Sequence, residues 1–108
     1  MTKFNPAWSA LENQLETIYM AIADHQGLDP QFRLMKIGEE FGEVIQAYIG
    51  AKGMNKRKGK GSVAEIKKEL ADVLITAFVA LFDWDDYPVT VLLTRVAEIT
   101  ERIKEQGS

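Results

Sequence analysis

Apolar residues recur at three- and four-residue steps along most of the chain. Trp8, Leu11, Leu15, Ile18, Tyr19 and Ile22 form a first series. Leu34, Ile37, Phe41, Val44, Ile45 and Tyr48 form a second, and Val89, Leu92, Val96, Ile99 and Ile103 form the last. That period gathers apolar side chains on one stripe of a helix, the side that packs on a core. The ends of each series are marked too. Asn5-Pro6 and Asp29-Pro30 set a capping side chain before a proline at the first helical position, where the missing N–H costs nothing. Gly27 ends the first helix, and Gly50 with Gly53 ends the second near Ile49. Ser62-Val-Ala-Glu65 is a capping-box sequence that opens a third helix reaching about Phe82. The polar cluster from Asp83 to Tyr87 is a turn, Pro88 starts a fourth helix, and Gly107 closes it. There is no strand pattern and no internal repeat. Four helices with mostly short links predict a single all-α domain over residues 1–108, a four-helix antiparallel bundle.

The third helix departs from the amphipathic rule. From Leu70 to Phe82 it is apolar on all sides except for Asp72 and Thr76. Such a helix is buried all round, and four helices of one small chain can hardly enclose it. The expectation is a homodimer or homotetramer that completes the bundle.

Composition then narrows the chemistry. The 108 residues include no cysteine, which excludes a disulfide scaffold, a thiolate zinc site, an iron–sulfur centre and a cysteine nucleophile. A single histidine, His25, excludes a two-histidine zinc motif within one chain; beside Gly27 it reads as a C-terminal helix residue. Net charge of -3 argues against a general nucleic-acid binder. The longest uncharged apolar run, Val73 to Phe82, is half of the roughly 20 residues a membrane span needs. Glu12 and Glu16 interrupt any N-terminal signal region, so the chain reads as cytoplasmic, with no membrane partner. Charge is unevenly spread. Residues 50–61 hold Lys52, Lys56, Arg57, Lys58 and Lys60 and no acid, so a basic, glycine-rich loop is set into an acidic body.

The carboxylates carry the candidate chemistry. An unpaired carboxylate inside an apolar helix costs several kcal/mol, so Asp72 needs a cation, a donor set or a proton. Glu69 stands three residues before it and shares its face. Glu65, Glu69, Asp72 and Thr76 fall within about 60° of one another around the helix. On the second helix Glu40 and Glu43 are also three apart, with Glu39 beside them. Oxygen ligands without histidine or cysteine select a hard cation: Mg²⁺, Mn²⁺ or Ca²⁺. The competing interpretation is that Glu39 and Glu43 belong to a solvated face. Gly38 and Gly42 cost roughly 1 kcal/mol each in a helix, which close approach of another backbone would explain.

Glu39-Glu40-x-x-Glu43, then 25 residues, then Glu69-x-x-Asp72, resembles the E-E-x-x-E … E-x-x-D signature of the MazG-like all-α nucleotide pyrophosphohydrolases. Relatives of that group include dimeric dUTP and dCTP pyrophosphatases and phosphoribosyl-ATP pyrophosphohydrolase. The flanks Lys36-Ile-Gly-Glu-Glu-Phe-Gly-Glu-Val and Lys68-Glu-Leu-Ala-Asp-Val-Leu are similar to the family's two metal helices. The resemblance spans about residues 30–85. It implies that Glu40, Glu43, Glu69 and Asp72 bind Mg²⁺, with Mn²⁺ as a substitute. It also implies hydrolysis of a nucleoside triphosphate to the monophosphate and pyrophosphate, in nucleotide-pool house-cleaning. Glu39, with no ligand role, is assigned to general-base catalysis or a second metal. Physical chemistry points the same way, because metal ions bridging phosphate oxygens neutralise developing charge and orient in-line attack by water. Lys52, Lys56, Arg57, Lys58 and Lys60 join the two metal helices and are placed to fold over a phosphate tail; alternatively that loop is solvated and binds nothing. Lys36 is a further phosphate contact, or else a salt-bridge partner of Glu40.

Base recognition is open. Phe4, Trp8, Tyr19, His25, Phe32 and Trp84 can each stack on a nucleobase, but core packing is the stronger expectation for them. Asp83 lies three turns beyond Asp72, about 16 Å along the helix, outside the metal site. Two other functional classes remain: a non-catalytic helical interaction module using the basic loop, and a hydrolase of another pyrophosphate such as a phosphoribosyl-ATP or a nucleotide sugar.

Overall fold

The computed structural model describes residues 6–26, 29–51 and 62–107. Four helices make up nearly all of them: α1 (Pro6–Gln26), α2 (Gln31–Ala51), α3 (Val63–Leu81) and α4 (Pro88–Gln106). No strand occurs among the described residues, and the fold is an all-α bundle as the periodicity predicts. Two of the sequence start-signals act as read. Asp29 Oδ1 accepts from the Gln31 amide at 2.9 Å at the start of α2. Ser62 Oγ accepts from the Glu65 amide at 3.0 Å at the start of α3. The start of α4 is capped from outside: Glu12 of α1 accepts from the Val89 amide at 2.9 Å. Helix α2 runs two residues past its expected end, with Gly50 helical.

Helices α2 and α3 form the central pair. Arg33, near the start of α2, pairs with Asp83 just beyond α3, and Glu40, two turns on, meets Glu69 and Asp72. The pair therefore runs antiparallel. Helix α1 joins it through Tyr19, whose ring lies 5.3 Å from that of Phe82 and whose hydroxyl donates to Asp83 at 2.9 Å.

The buried core is small: Leu15, Val44, Ala47, Val79, Ala80 and Val89. This corrects two of the expected core stripes, those of α2 and α4. Of the stripe predicted on α2, only Val44 is buried, while Leu34, Phe41, Ile45 and Tyr48 are exposed. The side of α2 that meets α3 is instead centred on Arg33, Glu40, Val44 and Ala47, roughly 80° away around the helix. Helix α3, as its sequence leads one to expect, is not enclosed within one chain: Leu70, Leu74 and Ile75 are exposed. On α4 only Pro88 and Val89 are buried, and Leu92, Val96, Ile99 and Ile103 line an exposed stripe. No helix among the described residues is long and apolar enough to cross a membrane.

Candidate metal centre

Facing positions of α2 and α3 bring three acids together. Glu40 comes from α2, and Glu69 and Asp72, one turn apart, come from α3. One carboxylate oxygen of each lies within 4.8 Å of the other two. Around one Mg²⁺ with bonds of about 2.1 Å, neighbouring oxygens stand about 3.0 Å apart and opposite ones about 4.2 Å. Each donor thus needs to draw in by about 1 Å at most, and an all-oxygen set suits a hard cation. Burial is graded: the side chains of Glu69, Glu40 and Asp72 are 6%, 18% and 38% exposed. A buried carboxylate at the base and a solvent-facing one at the rim leave a side from which water or an anionic ligand can approach.

Lysines flank the acids. Lys36 Nζ lies 3.1 Å from Glu39 and 3.6 Å from Glu40. Lys68 Nζ lies 3.4 Å from Glu69 and 3.7 Å from Asp72. The neighbouring carboxylates raise the pKa of both lysines, through Glu39 above all for Lys36 and Glu69 for Lys68. Both therefore stay cationic over the physiological range and offset part of the repulsion among the acids.

A cleft of about 310 Å³ adjoins the triad, lined by Ile22, Arg33, Lys36, Glu40, Asp72, Ile75, Thr76 and Val79. Its apolar walls come from α1 and α3, its cations from α2. Thr76 turns its hydroxyl back to the Asp72 carbonyl at 2.7 Å, so that hydroxyl serves the helix backbone.

The predicted residues divide as follows. Glu40, Glu69 and Asp72 converge; Glu43 is half-buried on α2 and is not part of the triad. Glu39 is exposed and bound to Lys36, so the salt bridge foreseen for Lys36 to Glu40 is shared with Glu39. Lys52, Lys56, Arg57, Lys58 and Lys60 lie outside the described residues, as does Phe4. None of the described aromatic stacking candidates lines the cleft. His25 is in the last turn of α1, as expected, while Phe32 and Trp84, expected in the core, are exposed. Sequence reading missed Arg33 and Asp83. Arg33 is 2% exposed and sits 5.4 Å from the centroid of the Tyr19 ring. The signal was available: an arginine among the apolar residues of one helix and an aspartate ending another. Compared with known proteins, the chain matches no family model, no curated protein and no solved structure.

Proposed function

We propose that the chain is a Mg²⁺-dependent nucleotide pyrophosphohydrolase of the MazG-like kind, hydrolysing a nucleoside triphosphate to the monophosphate and pyrophosphate in the cytoplasm as a homodimer or homotetramer. The observation that carries this reading is the convergence of Glu40 with Glu69 and Asp72 across two antiparallel helices, beside an open cleft. In it, Glu40, Glu69 and Asp72 hold the ion, with Glu43 one turn along α2 as a fourth ligand. The ion, Mg²⁺ or Mn²⁺, supplies charge neutralisation at the phosphates and orientation of the attacking water. Glu39 takes the general-base role or serves a second ion. Lys36, at the cleft wall, binds phosphate oxygens, as do Lys52, Lys56, Arg57, Lys58 and Lys60 of the connecting segment. Ile22, Ile75 and Val79 give the cleft an apolar wall for the less polar part of the nucleotide.

The test is a panel of nucleoside triphosphates, phosphoribosyl-ATP and nucleotide sugars, assayed for pyrophosphate and monophosphate release with Mg²⁺ or Mn²⁺. Metal-dependent pyrophosphate release from a triphosphate is the expected result. Turnover of another pyrophosphate alone would reassign the substrate. No turnover at all, with no metal effect on stability, would leave the helical interaction module as the reading of this chain.

A further inference from the structure

Each acid-bearing helix carries a lysine one turn before a triad acid: Lys36 before Glu40 on α2, and Lys68 before Asp72 on α3. The two differ in place. Lys36 lines the cleft, and so do Asp72, Ile75, Thr76 and Val79 of α3, which run from the triad away from Lys68. Because α2 and α3 are antiparallel, Lys68 lies beyond the triad, at the end opposite Arg33 and Lys36. Its ammonium reaches two of the three acids at once, Glu69 at 3.4 Å and Asp72 at 3.7 Å. Both separations exceed the about 2.8 Å of a close ammonium–carboxylate bond, and the side chain is 63% exposed. Lysine holds its charge as a point on a flexible four-carbon stem, so this ammonium is free to exchange partners.

We propose that Lys68 is a substrate-binding residue that exchanges its carboxylate contacts for phosphate oxygens at the far end of a polyphosphate when a metal ion binds. The inference rests on the proposed metal centre and adds to it one residue and a direction. A divalent ion held by Glu69 and Asp72 meets like charge from an ammonium on the same carboxylates, so each weakens the other's hold. A polyphosphate relieves that conflict, because it offers the displaced ammonium new oxygens beside the ion. Metal and polyphosphate therefore bind better together than apart, and each raises the affinity for the other by the same factor. The direction follows from placement. The apolar walls Ile22, Ile75 and Val79 stand on one side of the triad and Lys68 on the other. The nucleoside thus occupies the cleft, and its phosphates cross the ion toward Lys68.

Lys68→Met tests this, since it keeps most of the stem and removes the charge. Two probes are used, Mn²⁺ alone and the Mn²⁺ complex of inorganic tripolyphosphate. Electron paramagnetic resonance reads the first and titration calorimetry the second, so neither readout needs turnover. Lys68→Met should bind Mn²⁺ alone at least about threefold more tightly than the wild type. It should bind the tripolyphosphate complex at least about tenfold more weakly. Those opposite signs are the signature, because a lysine that only supported the fold would move both affinities the same way. Lys67→Met removes the same charge about 100° away around α3 and should change neither affinity more than about twofold. Both lysines are exposed, so circular dichroism should stay helical in each variant. A wild type that binds no Mn²⁺ would overturn the metal centre, and the role of Lys68 with it. Equal Mn²⁺ affinity in wild type and Lys68→Met would overturn the role of Lys68 alone and leave the metal centre standing. So would a tripolyphosphate complex that both proteins bind equally, or that the Mn²⁺-binding wild type does not bind.

Discussion

Arg33 and Asp83 form a two-pronged ion pair across 50 residues of sequence: Nε donates to Oδ2 at 2.6 Å and Nη2 to Oδ1 at 2.8 Å. Both side chains are buried, at 2% and 8% exposure. The pair ties the first turn of α2 to the turn that ends α3, and the Tyr19 hydroxyl brings α1 to the same carboxylate. It therefore sets how the two acid-bearing helices are aligned, two turns from Glu40.

Removing one partner leaves the other charge buried and unpaired. Asp83→Ala should destabilise the fold by roughly 3 to 5 kcal/mol. Replacing both, as Arg33→Met with Asp83→Leu, should recover most of that loss, since the desolvation cost disappears with the charges. Urea denaturation of the two variants beside the wild type measures it. A single variant as stable as the wild type would show that the pair does not hold the helices.

The same pair gives a pH dependence. Burial pushes the Asp83 carboxyl up, but hydrogen bonds from Arg33 and Tyr19 and the Arg33 charge outweigh it, so its pKa lies below the ordinary value. A carboxylate depressed in the folded state stabilises it fully above the unfolded pKa of about 3.9 and loses that contribution as pH falls through the folded pKa. Stability should thus stay level for this group from pH 7 to about 5 and fall below about 4. Asp83→Asn should flatten that acid limb; an unchanged limb would assign it to other carboxylates.

Glu12 caps α4 from α1, accepting from the Val89 amide. Its carboxylate also faces the positive end of the α4 dipole. Glu12→Ala should cost roughly 1 kcal/mol, and Glu12→Gln, which keeps an acceptor, less. Hydrogen exchange should show faster opening at the start of α4 in Glu12→Ala, and equal rates would remove the cap from the account of how α4 is held.

The helix order and limits were legible because caps and breakers act within a few residues. Pro6, Pro30 and Pro88, the Ser62 cap and Gly107 each mark an end locally. The acids at Glu40, Glu69 and Asp72 were legible for a related reason, since a three-residue spacing places Glu69 and Asp72 together on a helix. What the pattern misjudged was which side of α2 meets α3. Leu34, Phe41, Ile45 and Tyr48 look like a core stripe, but Arg33, Glu40 and Ala47 occupy the contact. A helix with two useful sides has one period and two directions, and only long-range pairing chooses between them. The Arg33–Asp83 bond is such a pairing: each residue stands out in its own segment, but nothing local joins the two.

Asp72 offers the sharpest separation of a metal ligand from a structural carboxylate. It is partly exposed, near Lys68, and part of the triad. As a ligand, its replacement by Asn removes one anion from the ion's shell, and pyrophosphate release should fall at least about a hundredfold. Without metal, Asp72→Asn should melt level with the wild type or higher, because repulsion from Glu40 and Glu69 is relieved. Addition of Mg²⁺ or Mn²⁺ at about 100 times its dissociation constant should stabilise the wild type by about 2.7 kcal/mol and the variant by much less. Glu65→Gln is the comparison. Its amide is held by Ser62 and its acid is not in the triad, so turnover and the metal effect should both persist. If Asp72 served only as a partner for Lys68, Asp72→Asn would lower stability slightly, metal would add nothing in either protein, and turnover per folded molecule would be unchanged. Melting curves with and without metal, read beside pyrophosphate release, decide between the two roles.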